Sequence, residues 1–227
     1  SHFYMKSPRC AANPRYNRGM DYNYMPPITK KKKVAVIGGG PAGIEAARVA
    51  AQRGHDVTLF EKSNLLGGVF RGAAAAPFKD DLKRYLSYVI RKAHEQENLT
   101  IRMCTEASPE LLDAEGFDAA IIAIGNIPFF PKWLTCKDEG RVVLVNDVDS
   151  GAAQVGNNIV IVGAGITGLE TAYRFVQLGR KVTVVDMLPR DQIAQTNAPI
   201  NAYALFNLLE NYDWDLRCET KLVDVTD

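Results

Sequence analysis

Residues Val34–Glu61 read VAVIGGGPAGIEAARVAAQRGHDVTLFE, and this stretch decides the fold. Val34 to Ile37 is a β-branched run with the length and composition of a buried parallel strand. Gly38, Gly39 and Gly40 follow, then Pro41, Ala42 and Gly43. A run of small residues continues to Arg53, Gly54 stops the predicted helix, and Val57 to Phe60 is a second apolar run ending at Glu61. Gly38 and Gly40 permit a tight turn and a close backbone approach to a pyrophosphate, while Gly43 lets the helix pack on the strand. Pro41 and Ala42 open that helix, whose unpaired N–H groups and partial positive charge point at the phosphates. Glu61 stands eighteen residues past Gly43. There an acidic side chain accepts both ribose hydroxyls of an adenosine. Lys62 follows it, and Gly67-Gly68 offers a further backbone approach to the ligand.

The pattern returns at Asn158. Ile159 to Val162 is a strand, and Gly163-Ala164-Gly165-Ile166-Thr167-Gly168 is a second G-x-G-x-x-G. A helix runs to Leu178 and is closed by Gly179, and Lys181 to Val185 is a strand ending at Asp186, again eighteen residues past the third glycine. A whole βαβ unit is therefore repeated. Gly163, Gly165, Ile166, Gly168 and Asp186 are its candidate cofactor-binding residues. A carboxylate at Asp186 accepts a 2′-hydroxyl and repels a 2′-phosphate, which favours NADH over NADPH; Arg190, four residues on, works against that preference.

Between the units, Phe78 to His94 reads as an amphipathic helix with Leu82, Tyr85, Leu86, Val89 and Ile90 on one face. Leu99 to Met103 is a strand. Ser108 caps a short helix with Pro109 in its first position. Phe117 to Ile124 is a buried strand running into Gly125, which turns the chain at the carboxyl end of the sheet, where ligands of open α/β sheets bind. Arg141 to Val145 reads as a strand, Asp147 starts a short helical stretch, Ala198 to Asn211 is helical and Asp215 to Cys218 strand-like. The fold class is thus α/β, two Rossmann-like dinucleotide-binding units in tandem. The expected divisions are an extended arm at 1–29, the first part of one dinucleotide-binding domain at 30–128, a crossing segment at 129–156 and a second dinucleotide-binding domain, incomplete, at 157–227. Too few strands follow Asp186 to complete a Rossmann half, so a fragment is expected.

Composition excludes little but points one way. Of 227 residues, 47% are hydrophobic and the net charge is +1, which suits a globular protein with a sizeable core. No apolar run reaches the length of a membrane span, no leader peptide is read, and neither a nucleic-acid nor a membrane partner is expected. Lys30 to Lys33 reads as a solvated start to the first strand. Cys10, Cys104, Cys136 and Cys218 are far apart in sequence, which fits a reducing, cytoplasmic setting. Cys104 and Cys218 read as ordinary buried thiols, and His2, His55 and His94 as solvent-facing. The arm cannot fold alone, and its tyrosines and methionines are expected to lie on another surface.

Two such units in tandem resemble the two-dinucleotide flavoproteins, in which FAD occupies the first unit and NAD(P)H the second. Cys10-Ala11-Ala12-Asn13-Pro14 resembles the C-x-x-N-P of the 2,4-dienoyl-CoA reductase group, relatives of old yellow enzyme. So do Gly67-Gly68-Val69-Phe70, Ala123-Ile124-Gly125-Asn126-Ile127-Pro128 and the segment Arg53 to Glu61. The resemblance implies an NAD(P)H-dependent flavin oxidoreductase with an N-terminal FMN barrel in the same chain. It also implies a 4Fe–4S cluster with Cys10 as its last thiolate, and electron flow from NADH to FAD, cluster, FMN and a small enoyl-CoA or enoate substrate. The barrel and the other cluster cysteines do not occur in these residues, so no catalytic acid or base is assigned. Three other readings stay open. A thioredoxin-reductase-like enzyme needs a C-x-x-C, which the sequence lacks. A glutamate synthase small chain would carry several cysteines before the glycine motif. An ADP-binding structural module, as in trimethylamine dehydrogenase, is the reading outside enzymology.

Overall fold

The structure is a computed structural model describing residues 10, 12–13, 15–23, 26–131, 134, 141–194 and 199–225. His2, Cys136 and the expected helix start at Ala198 lie outside the described residues. The chain forms two compact units, residues 1–70 with 81–125, and residues 71–80 with 126–227.

The first unit contains α1 (Gly19–Asn23), β1 (Lys33–Ile37), α2 (Pro41–Gln52), β2 (Asp56–Phe60), β3 (Leu99–Arg102), α5 (Pro109–Ala114), β4 (Ala119–Ile122) and nearly all of α4 (Asp80–His94). The short helix α3 (Phe70–Ala73) begins at its edge. All four strands are parallel, in the order β3-β2-β1-β4. Ile44, Ala47 and Ala51 recur at helical spacing on α2 and are buried, as are Leu86, Val89 and Ala93 on α4. They meet Val34, Val36, Val57 and Leu59 in one core. Ile44 and Leu59 are wholly inaccessible to solvent, and each such side chain contributes about 1.5–3 kcal/mol by leaving water. Ser108 does cap α5, its hydroxyl accepting from the Leu111 N–H at 3.3 Å.

The second unit contains α6 (Val145–Ser150), β5 (Asn158–Val162), α7 (Ile166–Gln177), β6 (Lys181–Val185), α8 (Pro199–Leu209) and β7 (Trp214–Arg217). Its strands are parallel in the order β5-β6-β7. Leu169, Ala172, Phe175 and Val176 of α7 close its core against Val182, Val184, Leu205 and Leu209.

Several local expectations give way. Arg141 to Leu144 is not a strand, and α6 begins at Val145. A β-branched run that short forms a strand only where neighbouring backbone pairs with it, and among the described residues no ladder includes this one. Cys104 is exposed rather than buried, because the chain passes the end of β3 and turns there at φ +52°; Cys218 is half-buried against the second core. His55 is also half-buried, its Nδ1 accepting from the Lys32 N–H at 3.2 Å, whereas His94 is exposed. The arm is held by polar groups. Arg15 donates to Gln52 Oε1 at 2.9 Å and Arg53 to the Pro26 carbonyl at 3.2 Å, while Tyr16 and Met20 face solvent.

Candidate functional site: two glycine cradles

Each unit turns from strand to helix through the same backbone. Gly38 and Gly163 follow β1 and β5 at φ +105° and +106°, a region an L side chain rarely enters. Their N–H groups donate to Phe60 and Val185 carbonyls, both at 2.8 Å. Gly43 and Gly168 allow the helix to sit on this turn. A Cβ there would come within 1.8 Å of the Gly38 carbonyl oxygen and 2.0 Å of the Gly163 one. Gly40 and Gly165 differ. A Cβ on either meets nothing within 4 Å, so each faces open space at the first turn of its helix. Pro41 and Ala42, and Ile166, occupy those first turns. A bare backbone beside open space at a helix N-terminus fits a pyrophosphate that approaches along the main chain.

The acids complete each cradle. Glu61 Oε2 accepts from the Gly39 N–H at 2.7 Å and Oε1 from the Ser63 N–H at 2.8 Å. Asp186 Oδ2 accepts from the Ala164 N–H at 2.6 Å and Oδ1 from the Leu188 N–H at 2.8 Å. Each carboxylate oxygen keeps a second lone pair, enough for two ribose hydroxyls. The likeness runs further than the glycine motif. Glu61 and Asp186 N–H groups donate to Arg102 and Arg217 carbonyls, and their carbonyls accept from Thr105 and Thr220. Between these partners stand Cys104 and Glu219, both at φ +52°. The third strand of each unit and the turn that follows it, I-R-M-C-T and L-R-C-E-T, therefore belong to the repeat, a signal the sequence carries in these matched residues.

Burial alone would raise the Glu61 pKa, but the hydrogen bonds from Ser63 and the Gly39 N–H outweigh it and hold the carboxyl below its ordinary value. A group with a depressed folded pKa stabilises the fold above its unfolded pKa and loses that contribution as pH falls through the folded value. Glu61→Gln is therefore expected to lower the urea midpoint at pH 7. The gap to wild type should close below about pH 4. A gap that stays constant down to about pH 2.5 would contradict the charged role.

The remaining predicted residues fall unevenly. The Gly67 N–H donates to the Gly39 carbonyl at 2.7 Å, and a Cβ on Gly68 would lie 3.4 Å from Gly40 Cα, so both belong to the first cradle. Lys62 is exposed beside Glu61. Gly125, at φ +69° beyond β4, borders open space. Cys10 is an exposed free thiol, and among the described residues no group of three or more His, Cys, Asp or Glu side chains could hold a metal ion. Among those residues, too, no helix is long and apolar enough to cross a membrane. One feature was not foreseen. In the second unit a cavity of about 60 Å³ is lined by Thr167, Glu170 and Thr171 of α7 and by Gly72, Ala76 and Lys79. Lys79 pairs with Glu170 at 2.6 Å, and Arg174 with Asp149 at 2.7 Å. Burial pushes the Asp149 carboxyl up, against the pull of Arg174.

With this geometry in view, a family profile described as pyridine nucleotide-disulphide oxidoreductase matches residues 32–227. The chain belongs to that family. It is 34% identical over 224 residues to cinnamate reductase of Clostridium sporogenes, which covers 96% of this chain and 32% of that protein. It is 35% identical over 198 residues to NADH oxidase of Thermoanaerobacter brockii, covering 86% of this chain and 30% of the relative. The solved structure of a 2-naphthoyl-CoA reductase superposes with a TM-score of 0.85 at 30% identity, over 96% of this chain and 33% of that one. The chain spans about a third of the length of these relatives. The doubled glycine cradle on parallel strands agrees with a nucleotide-binding domain of this oxidoreductase family.

Proposed function

We propose that FAD occupies the cradle of Gly38, Gly40, Gly43 and Glu61, and NADH that of Gly163, Gly165, Gly168 and Asp186. In this reading the module is the electron input of a reductase acting on an enoate or enoyl-CoA class substrate. The observation that carries it is the doubled cradle, in which open glycines at a helix start stand beside a carboxylate already fixed by two backbone amides. FAD, when bound, supplies hydride acceptance and onward single-electron transfer. The chain's own residues bind and orient. The helix starts at Pro41 and Ile166 face the pyrophosphates, Glu61 and Asp186 take the riboses, and Lys62, Gly67, Gly68 and Gly125 border the first ligand.

Asp186 supports NADH over NADPH, since both its oxygens are engaged as acceptors and a 2′-phosphate would be repelled. Arg190 does not offset this, because its guanidinium is stacked 3.6 Å from the Phe206 ring centroid, and Phe206 stacks in turn on Trp214. The resemblance around Cys10 supports a 4Fe–4S cluster completed by that thiolate and an FMN domain on the same chain, carrying electrons on to the substrate.

The test uses the full-length protein. Released nucleotide should be FAD and FMN, and NADH should bleach the flavin at least about tenfold more efficiently than NADPH. Asp186→Ala should narrow that gap. Cys10→Ala should lose iron yet still allow NADH to bleach FAD. Release of ADP in place of FAD, an NADPH preference, or an unchanged iron content in Cys10→Ala would each refute the corresponding assignment.

A further inference from the structure

The chain leaves the first unit after Phe70 and rejoins it at Asp81, lending residues 71–80 to the second. Both ends of this strap are fixed in the first unit. On one side the Gly67 N–H is bonded to the Gly39 carbonyl, and Gly68 lies against Gly40, so the loop that feeds the strap is part of the first cradle. Phe70 then packs edge-on against Tyr85 of α4, with ring centroids 6.1 Å apart. On the other side the strap runs directly into α4.

Its middle is clamped to α7. Lys79 Nζ sits 2.6 Å from Glu170 Oε2 and 3.0 Å from the Ala73 carbonyl, and the side chains of Lys79 and Glu170 are only 15% and 27% exposed. Phe78 tilts onto Tyr173 at 5.1 Å between ring centroids. Glu170 and Tyr173 lie on the first two turns after Gly165, the stretch that opens the second cradle. A strap that merely covered apolar surface would need Phe78 but no half-buried ion pair, whose two charges must both be desolvated.

We propose that Lys79 and Glu170 are positioning residues that join the two nucleotide sites energetically. They tie the segment leaving the first cradle to the helix that opens the second, so that a nucleotide in the first site tightens binding in the second. The physical basis is ordering. A ligand along Gly40 holds Gly68 and the start of the strap, the strap holds α7, and the second ligand then meets a helix start that is already ordered. The inference rests on the two-dinucleotide reading above.

The test is NAD+ binding to full-length protein with FAD loaded and with FAD removed. NAD+ carries no hydride to give. Occupancy of the second site is read from hydrogen exchange of residues 166–177, with exchange in β6 as the control for folding. In wild type, FAD should tighten NAD+ binding at least about fivefold. Lys79→Met and Glu170→Gln should each bring the ratio close to one while still binding both nucleotides. The exchanged pair Lys79→Glu with Glu170→Lys should restore it. A wild-type ratio of one, a ratio that survives Lys79→Met, or an exchanged pair that fails to recover it would overturn the proposal. Coupling through direct contact of the two cofactors would give the second of these results. Failure to bind FAD or NAD+ in wild type would instead overturn the underlying functional reading.

Discussion

Gly40→Val is expected to leave the first unit folded and to abolish FAD binding, and Gly165→Val to do the same for NADH in the second. The spacing assigns these two glycines a different role from Gly43 and Gly168, and the geometry at each position shows the same division. Gly40 and Gly165 hold extended backbone, φ −73° and −71°, which any L residue adopts, and a Cβ on either touches nothing. A valine there fits the fold and fills the space left for the pyrophosphate. Each change should weaken its own nucleotide at least about 100-fold, with the urea midpoint held within the small range of a surface substitution. Gly43→Ala and Gly168→Ala should show the opposite balance, because their Cβ atoms would overlap a backbone carbonyl that cannot swing aside. Isothermal titration with ADP and NAD+ beside urea unfolding separates the classes. Retained FAD in Gly40→Val, with normal stability, would mean that the phosphates lie elsewhere.

Most of the fold was readable because it is local. β1, α2 and β2 follow from a β-branched run, glycines at a strand end and small residues at helical spacing, and β1 pairs with β2 from Lys33 to Asp56 across one helix; only its other edge waits for β4, where Val34 meets Ala119. The acids were readable for the same reason: their distance from the glycines is set by one helix and one strand. What escaped depends on longer paths. The repeat extends through Thr105 and Thr220, but the first unit inserts the strap between its acid and its third strand, so the two halves fall out of step in sequence. The strap's docking on α7 rests on Lys79 and Glu170, ninety-one residues apart, and neither residue is unusual in its own neighbourhood. Cys104 looked like strand because Leu99 to Met103 alternates apolar with polar residues; its positive φ accompanies a hydrogen bond from its N–H to the Ser63 carbonyl, which strand composition does not encode. Arg141 to Val145 failed in the other direction, a strand-like run that joins no ladder among the described residues and enters α6 at Val145.

Gly39→Ala is expected to cost the first site most of its FAD affinity, and Glu61→Asp in the same chain to return part of it. The two cradles differ in one matched pair of residues. The first has glycine at the middle of its loop and glutamate at its strand end; the second has Ala164 and Asp186. The frames around them are the same, with equal register in β1–β2 and β5–β6 and equal 2.8 Å bonds behind Gly38 and Gly163. Glutamate carries one methylene more, so its carboxylate reaches over the loop into the place where a side chain would stand. A Cβ on Gly39 would lie 2.9 Å from Glu61 Oε2 and 2.5 Å from Leu66 Cδ2. Ala164 occupies the corresponding place fully buried, above the shorter aspartate, with its N–H still 2.6 Å from Oδ2. Loop residue and acid length are thus one choice made twice. Leu66 can move because its methyl ends a flexible side chain, but Glu61 cannot move without giving up both amides and the ribose position. Gly39→Ala should therefore weaken FAD at least about 30-fold, and adding Glu61→Asp should recover about tenfold, the coupling of about 1.4 kcal/mol expected of residues in contact. In the second unit, Asp186→Glu should weaken NADH more beside Ala164 than beside Ala164→Gly. Flavin affinity of the four first-unit proteins decides the matter: additive losses would show that the glycine is there for Leu66 alone, and that the acid's length was free to differ.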